Sequence, residues 1–390
     1  MKRIFVLLLT AAGWLSASAQ YMFDARLLDG AAEAYRAGDP RAVRAVQAAA
    51  AEAEALLTKP VMRVTEKKHF PPSYDKRDYM TLSPYWWPDP GQPDGLPYIR
   101  RDGERNPEVY DYPERVNGQQ LGASVRMLAV LYRVTDDERY AAKAAELLRG
   151  WFLDPDEGMN PNMTYAQLIR GRTTIRGTGI IDARNLCYAL NAAPLLEGSA
   201  AWSEADRSAL QAWARTFLYW LEHSVNGRKE MRSANNHGLW YDAVRVMTAQ
   251  AAGERGHVVE ILETSFRGRI ETQVAADGSL PEELARTLSL HYSTFALEAV
   301  SVVRNVALEA GVELWEHPDL RRAIDYLLPY YLAPATWPHT QIKPFEQERA
   351  AVLLDEAGRA LGCEAWIEAA RRIGYRPDKA DYATVLHFAL

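Results

Sequence analysis

The sequence predicts an all-α fold, an α/α toroid, and three observations carry that prediction. Apolar residues recur at three- and four-residue steps through most of the chain, the period of one helix face. No series of short alternating segments appears that would build a sheet. The one long exception to helical periodicity is residues 60–115, which hold Pro60, Pro71, Pro72, Pro84, Pro88, Pro90, Pro93, Pro97, Pro107 and Pro113. Such proline density forbids long helices and predicts an extended, aromatic-rich loop across one end of the helical body. Stacked antiparallel helix pairs of this total length suit an incomplete α/α barrel of about six to seven helical hairpins, with a concave groove at the inner helix ends.

The elements follow in order. Met1-Lys2-Arg3 is basic, Ile4 to Leu15 is apolar, and Ala17-Ser18-Ala19 places small residues at a cleavage site. This predicts a signal peptide over residues 1–19, cleavage before Gln20 and a periplasmic or secreted mature chain. The apolar run is too short to span a bilayer, and no later run reaches the ~20 residues required. Residues 20–390 then read as a single domain. Asp39 before Pro40 marks a helix start and opens an Ala-rich run to Leu57. Thr135 with Glu138, and Ser203 with Asp206, have capping-box spacing ahead of 140–152 and 210–221. Leu210, Trp213, Phe217, Trp220 and Leu221 line one face of the second of these. Similar runs cover 117–133, 185–196, 239–251, 256–274, 291–309, 319–332, 346–361 and 364–373.

Composition narrows the function. The chain has 390 residues, 48% of them hydrophobic and 25% charged, which excludes wholesale disorder. Its formal net charge of −6 argues against a nucleic-acid binder, whose affinity comes from neutralising phosphates. Two cysteines, Cys187 and Cys363, exclude a disulfide framework and leave a single pairing open. Tyrosine and tryptophan, 20 and 11 residues, outnumber the 9 phenylalanines, a balance that fits stacking on sugar rings as well as a large core.

Three segments carry chemistry. Asn235-Asn236-His237 precedes a helical run, where unpaired N–H groups can hold an anion. The same residues also read as an N-cap followed by first-turn polar surface. Arg286 and Tyr292 are six apart and would not share a face of one regular helix, so either a helix begins between them or Arg286 sits on a preceding loop. Arg286 also reads as an ion-pair partner of Glu282 or Glu283, and Tyr292 as a core residue. Between Tyr165 and Arg184 lie Arg170, Arg172 and Arg176, with Asp182 the sole acid. In an acidic protein that run implies an anionic ligand, or else ion pairs with distant acids.

Together with Ser83-Pro84-Tyr85-Trp86-Trp87-Pro88-Asp89, the Asn235-Asn236-His237, Arg286 and Tyr292 set resembles the alginate lyase superfamily. It is most similar to polysaccharide lyase family 38 and more distantly to family 5, from about Lys59 to about Tyr331. The Arg–Tyr spacing of six is shorter than in family 5. The resemblance implies an α/α toroid that cleaves a polyuronate by β-elimination. It implies catalytic roles for Tyr292 and His237 in proton transfer, and for Asn236, His237 and Arg286 in neutralising the uronate carboxylate. Asn235, Arg172, Arg176, Tyr85, Trp86, Trp87 and His291 are candidate substrate-binding residues.

The chemistry agrees. Removing H5 from a uronate builds negative charge beside an existing carboxylate, so preorganised donors must neutralise that group first. An arginine near Tyr292 should lower its pKa toward a phenolate base. If H5 and O4 lie on opposite ring faces, neutral His237 becomes the base and Tyr292 the acid. No cofactor and no metal are expected, since the sequence has no HExxH pair and no calcium-loop spacing. The expected partner is an anionic polysaccharide, polymannuronate-rich alginate first and glucuronan second, and the expected assembly is a monomer or weak dimer. Two rivals stand beside the lyase. One is a glycoside hydrolase using carboxylates such as Asp182, Asp242 or Glu283. The other is a non-catalytic polysaccharide binder.

Overall fold

The structure, a computed structural model, describes residue 23 and residues 25–374. The predicted signal peptide, residues 1–19, lies outside the described residues. Helix α1 (Ala25–Arg36), which the sequence reading did not anticipate, is followed by α2 (Pro40–Leu57). Asp39 caps α2 by accepting from the Arg41 N–H, with Pro40 at the first helical position. Next come α3 (Glu114–Thr135), α4 (Glu138–Leu148), α5 (Ala183–Ala192), α6 (Glu204–His223) and α7 (Val225–Glu230). The capping box of Ser203 and Asp206 forms at α6. That of Thr135 and Glu138 does not. Asp136 turns left-handed at φ 58° and ends α3 there, so Thr135 back-bonds to Leu131 O and Asp137 caps α4 instead.

The remaining helices are α8 (Asn236–Ala252), α9 (Arg255–Ile261), α10 (Arg267–Gln273), α11 (Pro281–Leu284), α12 (Ser289–Glu309), α13 (Pro318–Leu332), α14 (Gln347–Leu361) and α15 (Glu364–Ile373). A π turn over Leu262–Phe266 joins α9 to α10, which explains why 256–274 reads as one periodic run. Helices α3, α5, α8, α12 and α14 pack in succession as an inner layer, with α4, α6, α13 and α15 against them on the outside. Helix α8 is buried on every side from Gly238 to Gln250, the mark of a central helix. Trp151, Trp240, Trp315 and Trp366 are the largest fully buried side chains of the surrounding core. Cys187 and Cys363 are both free. No described helix is long and apolar enough to cross a membrane.

Between α2 and α3 the chain holds no α-helix, only short strands and a 3-10 turn at Pro107–Asp111. Strand β1 (Met80–Leu82) pairs in parallel with β4 (Tyr165–Leu168), and β2 (Trp86–Trp87) pairs antiparallel with β3 (Ile99–Arg100). These small sheets fix the proline-rich segment over the N-terminal ends of α5, α8 and α12, where the pocket described next opens.

Candidate active site

The residues singled out by sequence meet at the start of α8. Asn235 caps that helix, its side chain accepting from the His237 N–H at 3.1 Å. That is the capping role weighed for it from sequence, and Asn235 also lines the pocket. Asn236 is fully buried. Its backbone N–H and its Nδ2, the latter at 2.8 Å, both donate to Glu283. Burial raises the Glu283 pKa, and the Asn236 bonds oppose that rise. The second Nδ2 hydrogen is the only Asn236 donor left for a ligand, and its Oδ1 is buried without a partner among the described residues, a narrower donor role than the sequence suggested. Gly238 is required two residues further on, because a Cβ there would sit 2.2 Å from Ser233 O.

His237 is oriented by a residue the sequence reading missed. Glu230, at the end of α7 and 2% exposed in its side chain, lies with Oε1 2.6 Å from His237 Nδ1. Holding Nδ1 leaves Nε2 as the nitrogen available to a substrate. Glu230 precedes His237 by seven residues across a helix break, and no periodic pattern links such a pair.

Arg286 lies on the turn between α11 and α12, and Tyr292 in the first turn of α12. A helix does begin between them. The two meet face-on, with the guanidinium carbon 3.8 Å from the Tyr292 ring centroid. The partner of Arg286 is neither Glu282 nor Glu283. Asp102, from the proline-rich segment, takes its Nε at 3.0 Å and its Nη2 at 2.8 Å. Asp102 also accepts from Thr287 and from Arg100, and the arginines hold its carboxyl far below the usual range despite burial.

Tyr292 donates its hydroxyl to the Tyr85 hydroxyl at 2.8 Å. Burial, with the neighbouring Tyr85, pushes the Tyr292 pKa well above its ordinary value. Arg286 pulls the other way but does not win, because it faces the ring rather than the oxygen. The expected lowering is therefore corrected: in the free site Tyr292 is a phenol. His291 packs edge-on against Tyr292, and its Nδ1 is 2.6 Å from an Arg349 nitrogen. Burial, with Arg349 and Arg286, lowers the His291 pKa to about 4, so this imidazole is neutral at ordinary pH.

The aromatic triplet divides. Tyr85 and Trp86 line the pocket, whereas Trp87 turns away, donating Nε1 to Glu104 O at 2.9 Å beside Arg101. Arg172 and Arg176 lie 4.9 and 5.6 Å from the Trp86 ring. Of these two, Arg176 lines the pocket, and Arg172 supports Trp86 from outside the lining.

All of this surrounds one cavity of about 550 Å³. Arg100, Arg105, Arg115 and Arg176 line it, as do Arg184, Arg286 and Arg349. Glu298 is the only acid among its lining residues, and both of its oxygens engage Arg349. The pocket is thus strongly electropositive in a protein of net charge −6. The three carboxylates considered for a hydrolase are committed elsewhere. Asp182 engages Arg115, Thr81 and Gln167; Asp242 engages Arg245 and Arg269; and Glu283 engages Asn236.

An alginate lyase from Bacteroides ovatus superposes with a TM-score of 0.88 at 31% identity, over 94% of this chain and 98% of that one. Alginate lyase A1-III from Sphingomonas species A1 shares the fold with a TM-score of 0.52 at 16% identity, over 87% of this chain and 93% of that one. A histidine-to-alanine variant of A1-III complexed with tetrasaccharide aligns over the same shares with a TM-score of 0.55 at 16% identity. No curated protein sequence matches this chain. The fold and the comparisons define a polysaccharide lyase built as an α/α toroid. The chain belongs to the alginate lyase family, whose profile, described as alginate lyase, matches residues 63–337.

Proposed function

We propose that this enzyme cleaves polymannuronate-rich alginate by β-elimination, with side chains rather than a metal neutralising the uronate carboxylate. The observation that carries the reading is the single electropositive cavity on which His237 and Tyr292 both open, lined by seven arginines against one paired acid. A hydrolase needs two unpaired carboxylates across the bond, and the pocket lining offers none. In mannuronate and glucuronate H5 and O4 share a ring face, so one tyrosine oxygen, as phenolate, can take H5 and return that proton to the departing O4. Tyr292 is assigned that double role. His237 Nε2, the second Nδ2 hydrogen of Asn236 and the Nη1 of Arg286, which Asp102 leaves unused, are assigned to the carboxylate. In guluronate the two groups lie on opposite faces, and there His237 would have to act as base.

Polymannuronate, polyguluronate and glucuronan, each read at the ultraviolet absorbance of unsaturated ends, test the proposal. Fastest release from polymannuronate is expected. Saturable binding with no new ends on any of the three would refute it, and glucuronan in first place would change the substrate but not the chemistry. The basic, apolar and small-residue order of residues 1–19 supports export of the enzyme, for which a mature N-terminus at Gln20 is the check.

A further inference from the structure

The arginines of the pocket are not equivalent. Arg115 is paired with Asp182 at 2.7 Å, Arg286 and Arg100 share Asp102, and Arg349 is held by Glu298. Arg184 has no such partner, and among the described residues neither has Arg105 or Arg176, the latter bonded to Thr178. The one hydrogen bond of Arg184 among the described residues runs from Nη1 to Ile181 O at 2.8 Å, and no carboxylate there lies within ion-pairing distance. A guanidinium has five N–H donors, so most of its capacity faces the cavity unanswered by the chain.

Its surroundings offer no structural reason for a charge. Arg184 is the second residue of α5, where the helix dipole disfavours a cation. The adjacent carboxylate, Asp182, is committed to Arg115, Thr81 and Gln167. Burial pulls the Arg184 pKa down, as for any cation taken from water without compensation. What fixes the group is a pair of aromatic rings, Trp240 at 5.5 Å and Phe295 at 5.3 Å. Trp240 follows His237 by three residues on α8, and Phe295 follows Tyr292 by three on α12. Arg184 is therefore wedged about one helical turn from both proposed proton-transfer residues, in the same cavity.

We infer that Arg184 binds the carboxylate of the reacting uronate and stabilises the charge that grows on it when H5 leaves. The inference rests on the lyase reading and adds a residue to it. Asn236 spends two of its three N–H donors on Glu283 and Arg286 two of its five on Asp102. Of the pocket arginines without a carboxylate partner, Arg184 is the one packed on Trp240 and Phe295, one turn from His237 and Tyr292, and so the one placed to meet a full negative charge there. The carboxylate arrives as an anion and becomes a dianionic enolate, and a fixed guanidinium gains most at that second stage.

Arg184→Gln, Arg184→Met and Arg184→Lys, assayed on polymannuronate beside wild type, test the assignment. Met keeps the aliphatic stem between the two rings, so it guards against a variant that fails to fold. Both neutral variants should lose roughly 10²- to 10³-fold in kcat with a much smaller change in KM, the loss typical of one missing transition-state donor. Lys should recover part of it. Wild-type kcat in a folded neutral variant would overturn the inference. A raised KM at unchanged kcat would also overturn it, by moving Arg184 to a neighbouring ring. Equal losses in Lys and Met would do the same, by showing that the shape of the residue matters and its charge does not. Absence of unsaturated ends from the wild-type enzyme would be a failure of the lyase reading itself, visible before any variant is made.

Discussion

Tyr292 shows how one side chain's surroundings set its chemistry. Buried against Arg286 and bonded to Tyr85, it holds its proton more tightly than a free tyrosine. As base it must lose that proton, and the phenolate fraction below its pKa rises about tenfold per pH unit. On polymannuronate the rate should therefore climb with pH from neutral into the alkaline range, measured as kcat against pH. A flat alkaline limb would leave Tyr292 as acid only. Tyr292→Phe should retain folding and binding and lose on the order of 10²- to 10⁴-fold in turnover. Glu230→Gln probes the neighbouring pair. It keeps a contact to His237 Nδ1 but removes the buried charge that orients the ring, so kcat should fall while melting changes little. The motif residues themselves were legible in the sequence. Their partners Glu230, Asp102 and Glu298 were not, because each comes from a different element and forms no pattern along the chain.

At the level of elements, the helices were readable because their apolar periods are strong, and most of the predicted runs lie within or beside an observed helix. What escaped was local geometry. A left-handed Asp136 overrode a capping-box spacing, and the one-turn α11 carries too few residues for a period to show. The proline-rich segment is fastened to the turn before α12 chiefly through Asp102, which meets Arg286 and Thr287 together. Asp102→Ala leaves a partly buried guanidinium without its carboxylate. A loss on the order of 1–3 kcal/mol in stability is expected by denaturant titration, together with faster proteolytic nicking within residues 83–104. The aromatic triplet should separate in the same experiment. Trp87→Ala should lower the melting temperature, whereas Trp86→Ala should raise KM on long polymer at nearly unchanged melting, since only Trp86 of the two tryptophans lines the pocket.

For the molecule as a whole, charge is segregated: the chain carries a net −6 although seven arginines and a single acid line its pocket. A polyanion is drawn to the pocket but repelled by much of the remaining surface, so capture should be sensitive to ionic strength. Raising salt from 50 to 500 mM shortens the screening length to a few ångströms and should raise KM on polymer several-fold while kcat on bound substrate holds. A KM independent of salt would mean that the arginines act only at contact.

The order of the inner helices along the chain has one more consequence. The cavity wall is contributed piecemeal, from Ser83 near the beginning of the described residues to Arg349 in α14 near their end. During synthesis every other wall residue has left the ribosome before Arg349 does, and the partner that Glu298 requires is missing until then. A nascent chain stalled after α13 would hold nearly all of the helical core and an unfinished pocket with a bare carboxylate in it. The charge balance of the pocket wall is thus completed only when α14 has been made.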